Sequence, residues 1–202
     1  MPSRRSNADL ARFLRRLPLA VVVAAAIWFA VRPLYNPVLC TLGQLVARAF
    51  EYPRVAKIVL DGKDAVIGRT DLRADSAWLK VSLTQIHFNI IPFMALFLAM
   101  PRPFSRGGLK ALLTALGVLL LSHVVALLLN VKVYYSFNLG AWSRINYSDF
   151  ARNIYGGLRY FFDIAVTFAL PLLLWVGLFP ERVFRLLGFD QETAARHAGR
   201  AS

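Results

Sequence analysis

The chain has 202 residues, 57% of them apolar, with a mean hydropathy of +0.52 and a formal charge of +13. The apolar residues come in blocks with arginines between them, whereas a soluble domain is about 45–50% apolar with its charges spread along the chain. This excludes an ordinary water-soluble domain and fits a polytopic membrane protein, because the bilayer interior rejects charge and the loops do not.

The basic balance also raises nucleic acid as a partner. No aromatic-basic motif, zinc spacing or helix-turn-helix pattern accompanies it, so the partner it implies is anionic lipid and not nucleic acid. Cys40 is the single cysteine, which rules out an intramolecular disulfide.

Residues 1–16 form a basic cytoplasmic tail carrying Arg4, Arg5, Arg12, Arg15 and Arg16. Residues 17–40 are the first transmembrane helix, uncharged from Leu17 to Val31 and continued past Arg32 and Pro33 by Leu34 to Cys40. No small-x-small site precedes a polar mature start, so the block is an uncleaved anchor rather than a signal peptide. Arg32 snorkels toward the far interface.

Residues 41–87 are extracytoplasmic. The stretch 38–51 (VLCTLGQLVARAFE) has helical apolar spacing and predicts an amphipathic interfacial helix ended by Pro53. Two β-rich runs flank Asp61-Gly62 in VAKIVLDGKDAVIG, a hairpin signal. A third run, Trp78 to Phe88, alternates. A small three-stranded sheet docked on the membrane follows, since a lone hairpin is marginal.

Residues 88–180 hold three more spans. Phe88 to Met100 is short, needs the preceding Gln85-Ile86-His87 to reach across, and is kinked by Pro92. Leu109 to Val131 is the cleanest. Tyr160 to Phe179 carries Asp163 near its start and Pro171 inside. The outer loop 132–158 is rich in aromatics, among them Tyr134, Trp142 and Tyr147. An interfacial belt accounts for them, and a platform for a peptide or glycolipid is the sharper alternative. Residues 181–202 are a second cytoplasmic tail.

The fold class read from this is an all-α membrane protein. It has four transmembrane helices and a small extracytoplasmic β-hairpin or sheet inserted between the first two. Arginine and lysine in the N-terminal tail, the loop 101–110 and the C-terminal tail all fall on one side, which places both termini in the cytoplasm of a bacterial inner membrane.

Ionisable and polar residues at membrane depth are expensive, so each carries a functional hypothesis. His123 lies about eight residues, or ~12 Å, from the outer end of the third span. Asp163 and Thr167 occupy the first turns of the fourth, His87 and Asn89 the outer end of the second, and Cys40 the outer end of the first. Polar candidates from four helices thus converge on one leaflet. Arg159 and Asp163, four apart, can pair on a helix face. His123 beside Ser122 fits either a helix–helix hydrogen bond or a ligand role. No local spacing among His87, His123 and Asp163 supports a metal site. Cys40 is either an apolar filler or a thiol activated by a basic neighbour.

An outer-leaflet cysteine, arginine and histidine in a small multi-pass protein resembles the bacterial exosortase and archaeosortase group. That resemblance implies a membrane transpeptidase acting on C-terminal sorting signals, with Cys40 as nucleophile assisted by His123 and Arg159. The chain departs from the group in the setting VLCTLG, which lacks an Ala-Cys-Ser-Gly context, and in its lower span count. The runs QIHFNIIPF (85–93) and FALPLLLW (168–175) are similar instead to an exosortase-associated membrane protein.

Two functions follow. The first is an accessory or assembly protein that binds a membrane partner or exported polypeptide at the outer face, through His87, Asn89, Asp163, Tyr134, Trp142 and Tyr147. The second is an outer-leaflet cysteine transpeptidase or protease using Cys40, His123 and Arg159. A transport role is disfavoured because the polar residues stop halfway across. No cofactor motif is present.

Overall fold

The computed structural model describes residues 4–51, 54–71 and 78–187, and the side chains from residue 8 onward. Pro53 and the tail beyond Leu187 lie outside the described residues. The protein is mostly helical with one three-stranded antiparallel sheet, and three of its helices are long and apolar enough to cross a membrane.

Helix α1 runs unbroken over Arg4–Ala49, although the sequence predicts a break near residue 38. Pro18, Pro33 and Pro37 lie within it. Each proline removes only one backbone bond, and the buried positions Asn36, Leu39 and Cys40 keep one face packed beyond them. The second long helix, α4 (Arg106–Phe137), follows from the leucine-rich run and extends past it, taking in the first residues of the expected aromatic loop. The rest of that loop is also largely helical: α5 (Ala141–Asn146), then α6 (Asp149–Phe161). Ser148 caps α6 by accepting from Ala151 N at 3.2 Å. A π-helical turn, Phe162–Val166, joins α6 to α7 (Thr167–Leu178), so that residues 149–178 form the third long helix. The short α8 covers Pro180–Leu187.

The sheet is β1 (Ala56–Asp61), β2 (Asp64–Arg69) and β3 (Leu79–Ser82), in that order. Asp61 pairs with Asp64, which makes Gly62-Lys63 the turn, one residue later than the Asp61-Gly62 signal suggests. Gly62 sits at φ +60 while Lys63 keeps a negative φ, the pattern of a two-residue hairpin with glycine first. Gly68 is required for a different reason: any Cβ there would meet the ring of Trp78.

The third run stops being a strand at Ser82. Leu83, Ile86, His87 and Ile90 are buried at helical spacing, and that period overrides the alternation. Helix α2 (Leu83–His87) and, after a turn, α3 (Ile90–Ala99) result. Together they make an apolar segment shorter than the three long helices.

The chain divides into two compact units. One comprises residues 1–28, 90–116 and 171–202. Its core holds Phe93, Phe97 and Met100, with Phe13 stacked on Trp175 at 5.7 Å and Phe97 against Phe179 at 5.9 Å. The other comprises residues 29–89 and 117–170. Here the inner face of the sheet, through Ile58, Ala65, Ile67 and Val81, packs with Leu39, Cys40, Leu83, Ile86, Leu127 and Val131.

Strand β1 is an edge strand, and side chains from the end of α1 and just beyond it satisfy its backbone. Gln44 Oε1 accepts from Ile58 N at 2.8 Å, Glu51 Oε2 accepts from Ala56 N at 2.7 Å, and Arg48 Nε donates to Ala56 O at 2.7 Å. Gly43 lets α1 approach α4 closely, since a Cβ there would lie 2.6 Å from a Leu127 methyl.

Candidate functional site

The polar residues of the second unit meet in one buried cluster built by α1, α2, the turn after it, and α4. His123 on α4 is 1% exposed, His87 0%, Asn89 2% and Asn36 3%. His123 Nε2 lies 2.7 Å from Asn89 Oδ1, and His123 Nδ1 lies 2.6 Å from the Tyr35 hydroxyl. An amide oxygen only accepts, so Nε2 carries the proton and donates. Nδ1 then offers its lone pair, and Tyr35 donates to it. His87 Nε2 donates in the same way to Asn36 Oδ1 at 3.0 Å. The two imidazole centroids are 6.4 Å apart, with the Tyr35 ring edge-on to both at 5.6 and 5.9 Å.

Each histidine is thus held by partners from other elements of the fold. In a medium without water, such bonds hold helices in register. Among the described residues no group of three His, Cys, Asp or Glu side chains gathers as a metal would require.

Of the residues the sequence singles out, the structure brings His87, Asn89 and His123 together. Cys40 lies on the same face of α1 as Asn36, one turn further on. Its side chain is 4% exposed in the apolar core with Leu39, Ile58 and Leu127, and among the described residues it makes no hydrogen bond. His123 spends both ring nitrogens on Tyr35 and Asn89, so neither faces the thiol. Arg159 pairs with Asp163 at 3.4 Å, the i,i+4 pair that the spacing anticipates. Both are about 40% exposed, and Asp163 stands in the π-helical turn. Thr167 Oγ1 donates to Phe162 O at 2.8 Å across that turn. No contact joins Cys40, His123 and Arg159 among the described interactions.

Compared with known protein families, curated proteins and solved structures, the chain matches none.

The aromatic residues form a second cluster. Tyr134, Tyr135, Trp142, Tyr147 and Tyr155 follow one another at ring separations of 5.9 to 6.0 Å. Arg69 from β2 plugs this row: its guanidinium lies 4.2 Å from the Trp142 ring and 4.9 Å from that of Tyr135. The same guanidinium forks onto Asp71 at 2.9 and 2.7 Å.

Although only 7% of the Arg69 side chain is exposed, its charge is fully compensated. The fork holds the Asp71 carboxyl below its ordinary range and raises the Arg69 guanidinium further. Burial pushes the Tyr147 phenol up. Tyr134 and Tyr135 are buried and brace the sheet against the helices, while Trp142, Tyr147 and Tyr155 are half-buried.

Tyr35, Asn36 and Arg69 are missing from the sequence-derived candidates. Tyr35 and Asn36 were legible by the same depth rule that finds His123, because they interrupt an apolar span between two prolines. Arg69 and Asp71 were not, since only the sheet register brings them to the aromatic row.

Proposed function

We propose that this chain is an accessory or assembly protein of the bacterial cytoplasmic membrane that crosses four times with both termini cytoplasmic. Its partner is a membrane protein or exported polypeptide held at the outer face. By the resemblance of residues 85–93 and 168–175, the system it serves is an exosortase-type sorting machinery. The carrying observation is the face presented by α6. Neither α6 nor the π-helical turn buries a single residue, yet Phe150, Ile154, Leu158 and Phe161 form an exposed apolar stripe at helical spacing. The inward side holds Arg152, stacked on Phe137 at 5.2 Å, and Tyr155 against Tyr147. A helix with its polar face inward and its apolar face outward meets lipid or another protein. The half-exposed Arg159–Asp163 pair favours protein, since charge left facing acyl chains is costly.

The cysteine-enzyme reading is less well supported, because the thiol is packed in apolar surroundings and the histidine is engaged elsewhere. The four-span reading is supported by Leu83–Ala99, which contributes to both compact units as each long helix does. At 1.5 Å per residue its 17 residues reach ~25 Å, slightly under a bilayer core of ~30 Å, a shortfall that local thinning absorbs.

Photocrosslinking in intact cells tests the reading, with the reactive residue at Ile154 or Phe161 and a control at the exposed Leu121 on α4. A discrete protein adduct from α6 and none from Leu121 is expected. Lipid adducts alone from both faces would sink it. Reporter fusions at the two termini test the span count: four spans put both on one side, three put them on opposite sides.

A further inference from the structure

The first compact unit contains a small basic cavity unrelated to the histidine cluster. Asp9, Arg12, Phe13 and Arg16 fall at i, i+3, i+4 and i+7 and therefore share one face of α1. Arg182, Arg185 and Leu186 likewise share one face of α8, and Ala99 and Pro101, where α3 ends, close the third side. The cavity they enclose has about 50 Å³ of room. Its floor is apolar: Phe13, Leu186 and Ala99 are 7%, 4% and 1% exposed. Among the described residues, its rim sets four guanidinium groups against one carboxylate.

That carboxylate, Asp9, reaches Arg12 only at 3.6 Å. Arg182 is held in place by donating to Ser105 Oγ at 2.8 Å and to Arg102 O at 3.4 Å. Arg16 has no hydrogen bond, ion pair or ring contact among the described residues. Like charges gathered around a dry floor repel one another, and an anion between them relieves that repulsion.

We infer that this cavity binds a phosphate group, and that the phosphate is the headgroup of an anionic phospholipid. Guanidinium forks match phosphate oxygens in pairs, which a lone ammonium does not. The size decides how much of a ligand enters. A cavity needs roughly 10–15 Å³ of such room per water, so this one takes a group about three or four waters large. A phosphate fits; a nucleotide does not. The lipid source is favoured because the basic rim stands beside the apolar stretch that begins at Leu17, where headgroups and acyl chains both lie within reach. The lipid source rests on the membrane-spanning reading above, whereas the phosphate chemistry does not.

The test is native mass spectrometry of the detergent-purified full chain with phosphatidylglycerol, cardiolipin and phosphatidylcholine, and separately with inorganic phosphate. R16Q/R185Q removes two rim charges and spares the Arg182–Ser105 tie. R54Q/R144Q removes the same charge elsewhere. R16K/R185K keeps the charge and loses the forks, and serves if the glutamine variant does not fold. The expected result is retention of phosphatidylglycerol or cardiolipin over phosphatidylcholine, reduced at least fivefold by R16Q/R185Q and severalfold by R16K/R185K. R54Q/R144Q leaves it unchanged.

Inorganic phosphate binding with the same dependence, without lipid preference, would support the phosphate chemistry and overturn the lipid source. Equal loss in R16Q/R185Q and R54Q/R144Q, or no loss in either, would mean diffuse charge attraction and overturn the site. A chain recovered in the soluble fraction of lysed cells rather than with the membranes would overturn the lipid source while leaving the phosphate arm decisive.

Discussion

Replacing His123 by leucine should cost about 2 kcal/mol of folding stability, and the value follows from what the imidazole holds. The substitution takes from the half-buried Tyr35 hydroxyl its acceptor at 2.6 Å and from the buried Asn89 Oδ1 its donor at 2.7 Å. In a soluble protein, stranding two buried polar groups costs ~1–3 kcal/mol each. Within lipid, bonds between helices average only ~0.6 kcal/mol and reach at most ~1.7, because the unfolded chain in the membrane also finds partners. The lower scale goes with the membrane-spanning reading proposed above, and two bonds at about 1 kcal/mol each, between that mean and that maximum, give ~2.

Reversible unfolding in mixed micelles of increasing SDS, followed by tryptophan fluorescence, measures it. Tyr35→Phe alone should cost ~1 kcal/mol. The triple substitution Tyr35→Phe, Asn89→Leu, His123→Leu should cost clearly less than the three singles summed, because it removes all the stranded groups together. Single substitutions within ~0.3 kcal/mol of the parent, or strict additivity in the triple, would refute the account of a mutually satisfied network.

Three further outcomes are expected. Gly43→Val should destabilise by ~1–3 kcal/mol in the same assay because the new methyls meet Leu127, whereas Gly117→Ala, with nothing within 4 Å, should be neutral or gain ~0.5–1 kcal/mol. The Arg69–Asp71 fork should make stability pH-dependent. The Asp71 pKa is lowered by folding, so its contribution is present above the unfolded value near ~3.9 and is lost as pH falls through the lower folded value. Melting curves should therefore separate parent from Asp71→Asn at pH 6 and converge by about pH 2, and a constant gap would count against the fork. Cys40, packed in the core, should resist an impermeant maleimide in intact cells until the fold is opened by denaturant. Rapid labelling near pH 6 would instead reveal a stabilised thiolate and revive the enzyme reading.

The long helices and the hairpin were legible because each is written in a local period: blocks of apolar residues, or strand alternation around a glycine turn. The boundaries that failed share one cause, which is packing at a distance. Helix α1 continues through Pro33 and Pro37 because its buried face has partners beyond them. The run from Trp78 changes to helix at Leu83 because Ile86 and His87 are needed inward. The region after Val131 reads as loop by composition, yet its tyrosines pack on Arg69, a residue more than sixty positions earlier. The depth rule grouped His87, Asn89 and His123, but it could not say that His123 pairs with Asn89 and Tyr35, and His87 with Asn36, leaving Cys40 aside.

The same buried bonds impose an order on biosynthesis. Asn36 finds His87 across 51 residues of chain, Asn89 finds His123 across 34, and Tyr35 finds His123 across 88. Chains are made from the N-terminus at roughly 5–20 residues per second. Several seconds therefore pass in which Tyr35 and Asn89 have been synthesised and α4 has not. A chain truncated before His123 would carry the Tyr35 hydroxyl and the Asn89 amide without the imidazole that pairs with them, a state that is costly at the membrane depth proposed above. Completion of α4 supplies His123 and with it the partner of both Tyr35 and Asn89, so this part of the cluster forms only after the later helix has been made.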